Sequence, residues 1–277
     1  MDNVIFFYRE PFFTYRGFVV IGVAAALLCA FALELRFRMV RRERLRMLLT
    51  GLVGFAAAAL MMKLFSIGAI AIYQYGIGEP YSLAELIENA AAVFYGVLFG
   101  FYAALALLLP RALPQRRQLG RDIWATAFAL GHGFLRLGCY CNTKVENGWL
   151  VWSPCCGGIK MDNAFCAHFY DGRLPTQLIE SAVAFLLFAV MLALLLAGKG
   201  SGKLPILYLV VYAIFRYIIE FYREGAMSVR IGPFSYAQFF SLLILAGVLA
   251  AAALRRAGVP KTPPEDPGER PGESERT

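Results

Sequence analysis

Apolar residues along this 277-residue chain fall in long blocks separated by short polar and basic stretches. A helix rises about 1.5 Å per residue, so a bilayer crossing takes roughly 20 such residues. The blocks Gly17 to Leu33, Leu48 to Tyr73, Ala90 to Leu109, Leu178 to Ala197, Leu204 to Tyr222 and Phe239 to Leu254 approach or reach that length. A further block, Ile123 to Leu137, is shorter and carries His132 and Arg136. The distribution of basic residues counts it as a span. The prediction is an all-α integral membrane protein with about seven transmembrane helices.

Counting seven spans with the N-terminus outside puts most of the 27 lysines and arginines on the cytoplasmic side. Among them are Arg36, Arg38, Arg41, Arg42, Arg44, Arg46, Arg111, Arg116, Arg117, Arg121, Lys199, Lys203, Arg255 and Arg256. The positive-inside rule therefore orients the chain with its N-terminus outside and its C-terminus cytoplasmic. This bias also accounts for the net charge of +8 as anchoring against anionic lipid. No stretch reads as a basic groove interleaved with aromatics, so no nucleic-acid partner is expected. With 59% hydrophobic residues, 17% charged residues and a mean hydropathy of +0.59, the chain is far more apolar than a water-soluble domain of this size, which speaks against a cytosolic enzyme. Asp2 and Glu10 stand where a cleavable signal peptide would carry basic residues, so the first helix is expected to remain a span.

Residues 1–257 read as one transmembrane domain, and 258–277, rich in Pro, Gly and charge, as a disordered cytoplasmic tail. The longest connection, 138–176, is an outer segment with Trp149, Trp152, His168 and five cysteines. Tyr15, Trp124, Trp149, Trp152, Tyr208 and Tyr222 lie near predicted span ends or in this segment and read as interface anchors. Cys29 reads as an apolar filler of the first helix. Cys139, Cys141, Cys155, Cys156 and Cys166 are open to three readings: two disulfides with one thiol over, a metal site, or a reactive thiol. His132 reads as a packing histidine.

Charged residues within spans are costly, about 2.5–3.5 kcal/mol each for a central Arg, Lys or Asp. Lys63, Arg136, Arg216 and Glu220 are such residues. Arg216, Glu220 and Arg223 are spaced i, i+4, i+7, which puts them on one helix face. Either Glu220 pairs with Arg216 to make the helix insertable while Arg223 reaches the surface, or the three join Arg136 near the outer leaflet. In the second case several guanidiniums converge and suit the phosphate of a lipid headgroup. Lys63 either adds charge to that site or answers Glu220.

The segment Tyr212-Ala-Ile-Phe-Arg216-Tyr-Ile-Ile-Glu220-Phe-Tyr-Arg223-Glu224, followed by Gln238 and Ser241, resembles a segment of the prolipoprotein diacylglyceryl transferase family. Arg173-Leu-Pro175-Thr-Gln177-Leu-Ile-Glu180 resembles a second, and Arg136, Gly138 and Asn142 agree with the family signature. The family's first signature asparagine is Cys139 here, its helical histidine is Tyr95, and its second-helix arginine is Lys63. The resemblance implies a bacterial inner-membrane enzyme that moves a diacylglyceryl group from phosphatidylglycerol to a lipobox cysteine in a prolipoprotein signal-peptide region. No cofactor is implied. On this resemblance Arg136, Arg216 and Tyr95 are the catalytic candidates, and Arg223, Glu220, Asn142, Gly138, Tyr15, Lys63, Gln177 and Glu180 the substrate-binding ones. The alternative is a noncatalytic phospholipid-binding protein whose outer segment exchanges thiols or binds metal.

Overall fold

A computed structural model describes residues 15–77, 94–141, 143–146, 149–152, 158–169, 172–223 and 230–257. Among these residues the chain forms seven long helices: α1 (Tyr15–Arg36), α2 (Arg41–Ile77), α3 (Phe94–Ala112), α4 (Arg117–Tyr140), α5 (Thr176–Leu196), α6 (Leu204–Ile219) and α7 (Tyr236–Ala257). Two antiparallel ribbons complete them, β1 (Thr143–Glu146) with β2 (Trp149–Trp152) and β3 (Arg230–Ile231) with β4 (Phe234–Ser235). The tail expected from 258 onward lies outside the described residues.

Among the described residues six helices are long and apolar enough to cross a membrane. The seventh is α4, which runs 24 residues rather than the short block expected from hydropathy. Its sequence is the most polar because its surroundings are protein: α4 packs on α1, α5, α6 and α3. Ile123, Trp124, Ala125, Ala127 and Ala129 are wholly or almost wholly inaccessible. A helix ringed by other helices has no need of a continuous apolar surface, so hydropathy understates it. By contrast, α1 and α2 expose Val20, Leu28, Leu52, Val53 and Leu60 outward, as lipid-facing helices do.

Helix contacts rest on small residues, which let backbones approach and gather dispersion contacts where lipid offers no hydrophobic drive. On α3, Gly96 and Gly100 lie against the α2 backbone at Met61 and Ala57, where a methyl group would overlap the main chain. Gly22 of α1 and Gly131 of α4 meet in the same way. Replacing Gly100 with valine should therefore cost at least about 1–3 kcal/mol, since backbone cannot move aside as a side chain can. Thermal unfolding in detergent reads that loss, and an unchanged midpoint would show that α2 and α3 do not approach this closely.

Trp124 and Tyr208, expected as interface anchors, are instead core residues at 1% and 0% exposure. Trp124 packs edge-on against Phe55 and Phe101, and Tyr208 against Phe128. Three packed helices bury aromatics as readily as an interface does, and sequence position alone cannot separate the two.

At the opposite end of the bundle from Arg136, Asp122 of α4 accepts hydrogen bonds from the backbone N–H groups of Gly202 (2.7 Å) and Leu204 (3.0 Å). These groups open α6, whose own N-cap, Lys203, supplies no side-chain cap. An Asp on a neighbouring helix thus does the capping. Asp122→Ala should cost about 1–2 kcal/mol by this loss, measured as a lower unfolding midpoint with the mass of bound lipid unaltered.

Candidate functional site

Arg136, at the end of α4, is 7% exposed, and its Nε stands 2.8 Å from Oε2 of Glu180 on α5. Its guanidinium lies over the Phe94 ring of α3, 5.2 Å from the centroid. Arg216, 5% exposed on α6, is 2.6 Å from Oε2 of Glu220, and Arg223 reaches the same oxygen at 3.5 Å. Ser235 Oγ donates to the other Glu220 oxygen at 3.1 Å. Glu180 lies within electrostatic reach of Arg136, Arg216 and Arg223, so the two ion pairs form one cluster with cations in excess. Burying such charges costs several kcal/mol per ion unless each is paired, and the carboxylates meet that need while fixing the guanidinium planes.

The local chain explains the placement. Arg216 and Glu220 pair across one turn as i, i+4 predicts. The continuous helical stripe through Arg223 is not formed: α6 ends at Ile219, Glu220–Tyr222 is a 3-10 turn, and Arg223 is extended. A bridge between Arg223 and Gly158, with Ile159 N–H donating to the Tyr222 carbonyl at 2.9 Å, holds it there. Gly158 and Ile159, between Cys156 and Cys166 of the outer segment, thereby fix the backbone at Arg223. Glu180 is set by the opening of α5, where Thr176, Gln177, Glu180 and Ser181 are all buried. Ser181 Oγ donates to the Gly133 carbonyl at 2.8 Å, locking α5 to α4 one turn from Arg136.

Tyr95 of α3 lies within reach of Arg216 and Glu220. Its hydroxyl donates to the Ala237 carbonyl at 2.9 Å and stands 2.6 Å from Ser241 Oγ. With its single hydrogen given to Ala237, Tyr95 accepts from Ser241 and is committed to α7. Gln238 Oε1 accepts from Ser235 N–H at 3.0 Å, tying the same stretch of α7 to the ribbon that carries Ser235.

The remaining candidates are placed as follows. Gln177 is buried at the opening of α5, and Tyr15 begins α1. Gly138 is needed for packing, since a side chain there would strike Phe18 of α1. Lys63 is exposed on α2, while Glu220 is answered by Arg216, Arg223 and Ser235. Asn142, Cys155 and Cys156 lie outside the described residues. Cys141 and Cys166 are free thiols, and Cys139 is buried at the end of α4. Burial pushes the Cys141 thiol up, away from a reactive thiolate. Among the described residues no three His, Cys, Asp or Glu side chains gather as metal ligands would.

Sequence reasoning missed the partner of Arg136, the ring beneath it and the α7 contacts of Tyr95. Glu180 was the legible signal, an acid within the first turns of an apolar block. Nothing in the sequence marks Phe94 or Ala237, whose roles exist only between helices.

A bundle of long apolar helices around paired arginines and carboxylates defines a multi-pass membrane protein with a buried cationic cluster. The chain belongs to the prolipoprotein diacylglyceryl transferase family, whose profile matches residues 5–254. The phosphatidylglycerol–prolipoprotein diacylglyceryl transferase of Idiomarina loihiensis is 29% identical over 189 residues, 64% of this chain and 65% of that protein. Its counterpart numbered 2 in Clostridium perfringens is 28% identical over 163 residues, 56% and 59%. That of Geobacter sulfurreducens is 26% identical over 208 residues, 70% and 73%. The chain thus spans less than two thirds of the length of the first two relatives.

Proposed function

We propose that this protein transfers a diacylglyceryl group from phosphatidylglycerol to the thiol of a lipobox cysteine at a prolipoprotein signal-peptide region, forming a thioether and releasing glycerol phosphate. The observation that carries the reading is the pair of buried arginines, Arg136 and Arg216, each oriented by a carboxylate in a lipid-facing bundle. A departing phosphate gains negative charge as its carbon–oxygen bond breaks, and preorganised guanidiniums in a dry site stabilise that charge. Glu180 and Glu220 hold the guanidiniums in place, Arg223 adds a third cation, and Gln177 and Tyr15 lie at the helix openings where a headgroup enters. Tyr95 holds α3 to α7 beside the cluster. The N-terminus faces outward and the C-terminus the cytoplasm of a bacterial inner membrane, which puts the cluster at the outer leaflet.

Purified protein incubated with phosphatidylglycerol and a lipobox peptide tests the reading by mass spectrometry. The expected result is a diacylglyceryl mass gain on the peptide cysteine, with glycerol phosphate released in equal amount. A folded, lipid-loaded sample that leaves the peptide unchanged would overturn it.

A further inference from the structure

One buried polar group beside the arginine cluster takes no part in the functions assigned above. His132 lies one turn before Arg136 on α4 and is 5% exposed. Its ring stacks on Phe94 with centroids 4.0 Å apart, the same ring that underlies Arg136. Nδ1 is 2.9 Å from the Tyr208 hydroxyl, whereas Nε2 is buried with no hydrogen-bond partner among the described residues. An unmet buried polar atom costs about 1–3 kcal/mol, and among the described residues the Tyr102 and Tyr212 hydroxyls and Trp124 Nε1 share that state; of these atoms Nε2 is the basic one. An imidazole with one nitrogen anchored by a hydroxyl and the other unpartnered has a ring position free to exchange a proton.

The chemistry of the cluster narrows what that is. A thiol attacks as thiolate, so a proton must be taken from it near the guanidiniums. Glu180 is engaged by Arg136, Glu220 by Arg216, Arg223 and Ser235, and the Tyr95 hydroxyl by Ala237 and Ser241. Among the described residues around the cluster, His132 Nε2 is the basic atom left open. Facing His132 are Arg136 on its own helix, Phe94 on α3, and Tyr208, Tyr212 and Arg216 on α6. From α5 the charged neighbour is Glu180, paired with Arg136, and α1 presents the uncharged Gly22 and Ala26 to this stretch of α4.

We propose that His132 is the proton-transfer residue of this reaction, an inference that rests on the transferase reading. With Nδ1–H donating to the Tyr208 oxygen, Nε2 carries the lone pair. Nε2 takes the thiol proton as the sulfur electron pair forms the bond to the glyceryl carbon. The carbon–oxygen bond breaks with its electron pair on the phosphate oxygen, and the same proton passes from Nε2 to the departing glycerol phosphate.

His132→Gln tests this in the phosphatidylglycerol and lipobox-peptide assay. It should lower kcat by about 10²–10⁴-fold, the range of general acid–base catalysis, with KM for phosphatidylglycerol within about threefold of the parent. The parent should show an acidic limb in its pH–rate profile and the variant should lack it; a parent without such a limb overturns the proposal. A variant that keeps the parent kcat, or loses rate with that limb unmoved, overturns the proposal. Should His132→Gln fail to accumulate, Tyr208→Phe gives the same readout: removing the Nδ1 partner should shift the limb, and an unshifted limb overturns the proposal. No turnover by the parent protein removes the transferase reading and this inference together, whereas an active parent with an indifferent His132→Gln removes only this inference.

Discussion

Replacing Arg216 with lysine should lower diacylglyceryl transfer by about 10²–10³-fold, the loss typical of removing one preorganised donor from a developing oxyanion. Lysine keeps the charge but presents a point ammonium in place of a planar fork, and so loses the paired contact with phosphate oxygens. The substitution is chosen because it spares the fold: Glu220 still has a cation in range, with Arg223 at 3.5 Å from the same oxygen. Arg216→Ala should be at least as damaging to rate but less informative, since it leaves a half-buried carboxylate with only Arg223 at 3.5 Å and the Ser235 hydroxyl. Initial rates with phosphatidylglycerol vesicles, compared at matched protein stability, decide the matter. A lysine variant with parental rate would mean that the cluster supplies bulk positive potential and not bidentate recognition.

Arg136→Ala carries the second large effect, and here rate and stability fall together. The Arg136 to Glu180 pair is the more buried of the two, and removing one partner of such a pair costs about 3–5 kcal/mol because the survivor stays charged and unanswered. Turnover should fall at least as far as in Arg216→Lys. The double variant Arg136→Gln/Glu180→Gln separates the two losses: with both charges gone the unfolding midpoint should recover most of its value while turnover stays lost. Recovery of turnover in the double variant would show that Arg136 serves only to neutralise Glu180.

Both predictions hang on partners of very different legibility. The Arg216 and Glu220 pair is written in the chain, because an i, i+4 spacing on a helix brings the two side chains together whatever surrounds it. The Arg136 and Glu180 pair is not, because 44 positions and the whole cysteine-bearing segment separate the two residues along the chain. They meet because Ser181 fastens α5 to the Gly133 carbonyl of α4. The same distinction separates the two surprises. Arg223 leaves the helix where Gly158 pairs with its backbone, a contact made from the middle of the outer segment. His132 reads as packing from its apolar neighbours, and only the tertiary structure puts Tyr208 on one ring nitrogen and no described partner on the other.

By itself the sequence determined the membrane-spanning class, the six long apolar helices, and the residue types whose burial demands an explanation. Those follow from transfer of apolar and charged groups between water and lipid, which depends on local composition and length alone. Tertiary structure decided which carboxylate holds which arginine, that Trp124 and Tyr208 lie in the core, and that Tyr95 is committed to α7. The reason is that a buried ion pair or hydrogen bond is set by the approach of two helices to within about 3 Å at one level. Gly96 and Gly100 permit that approach between α2 and α3, but the depth at which neighbouring helices meet is a property of the assembled bundle.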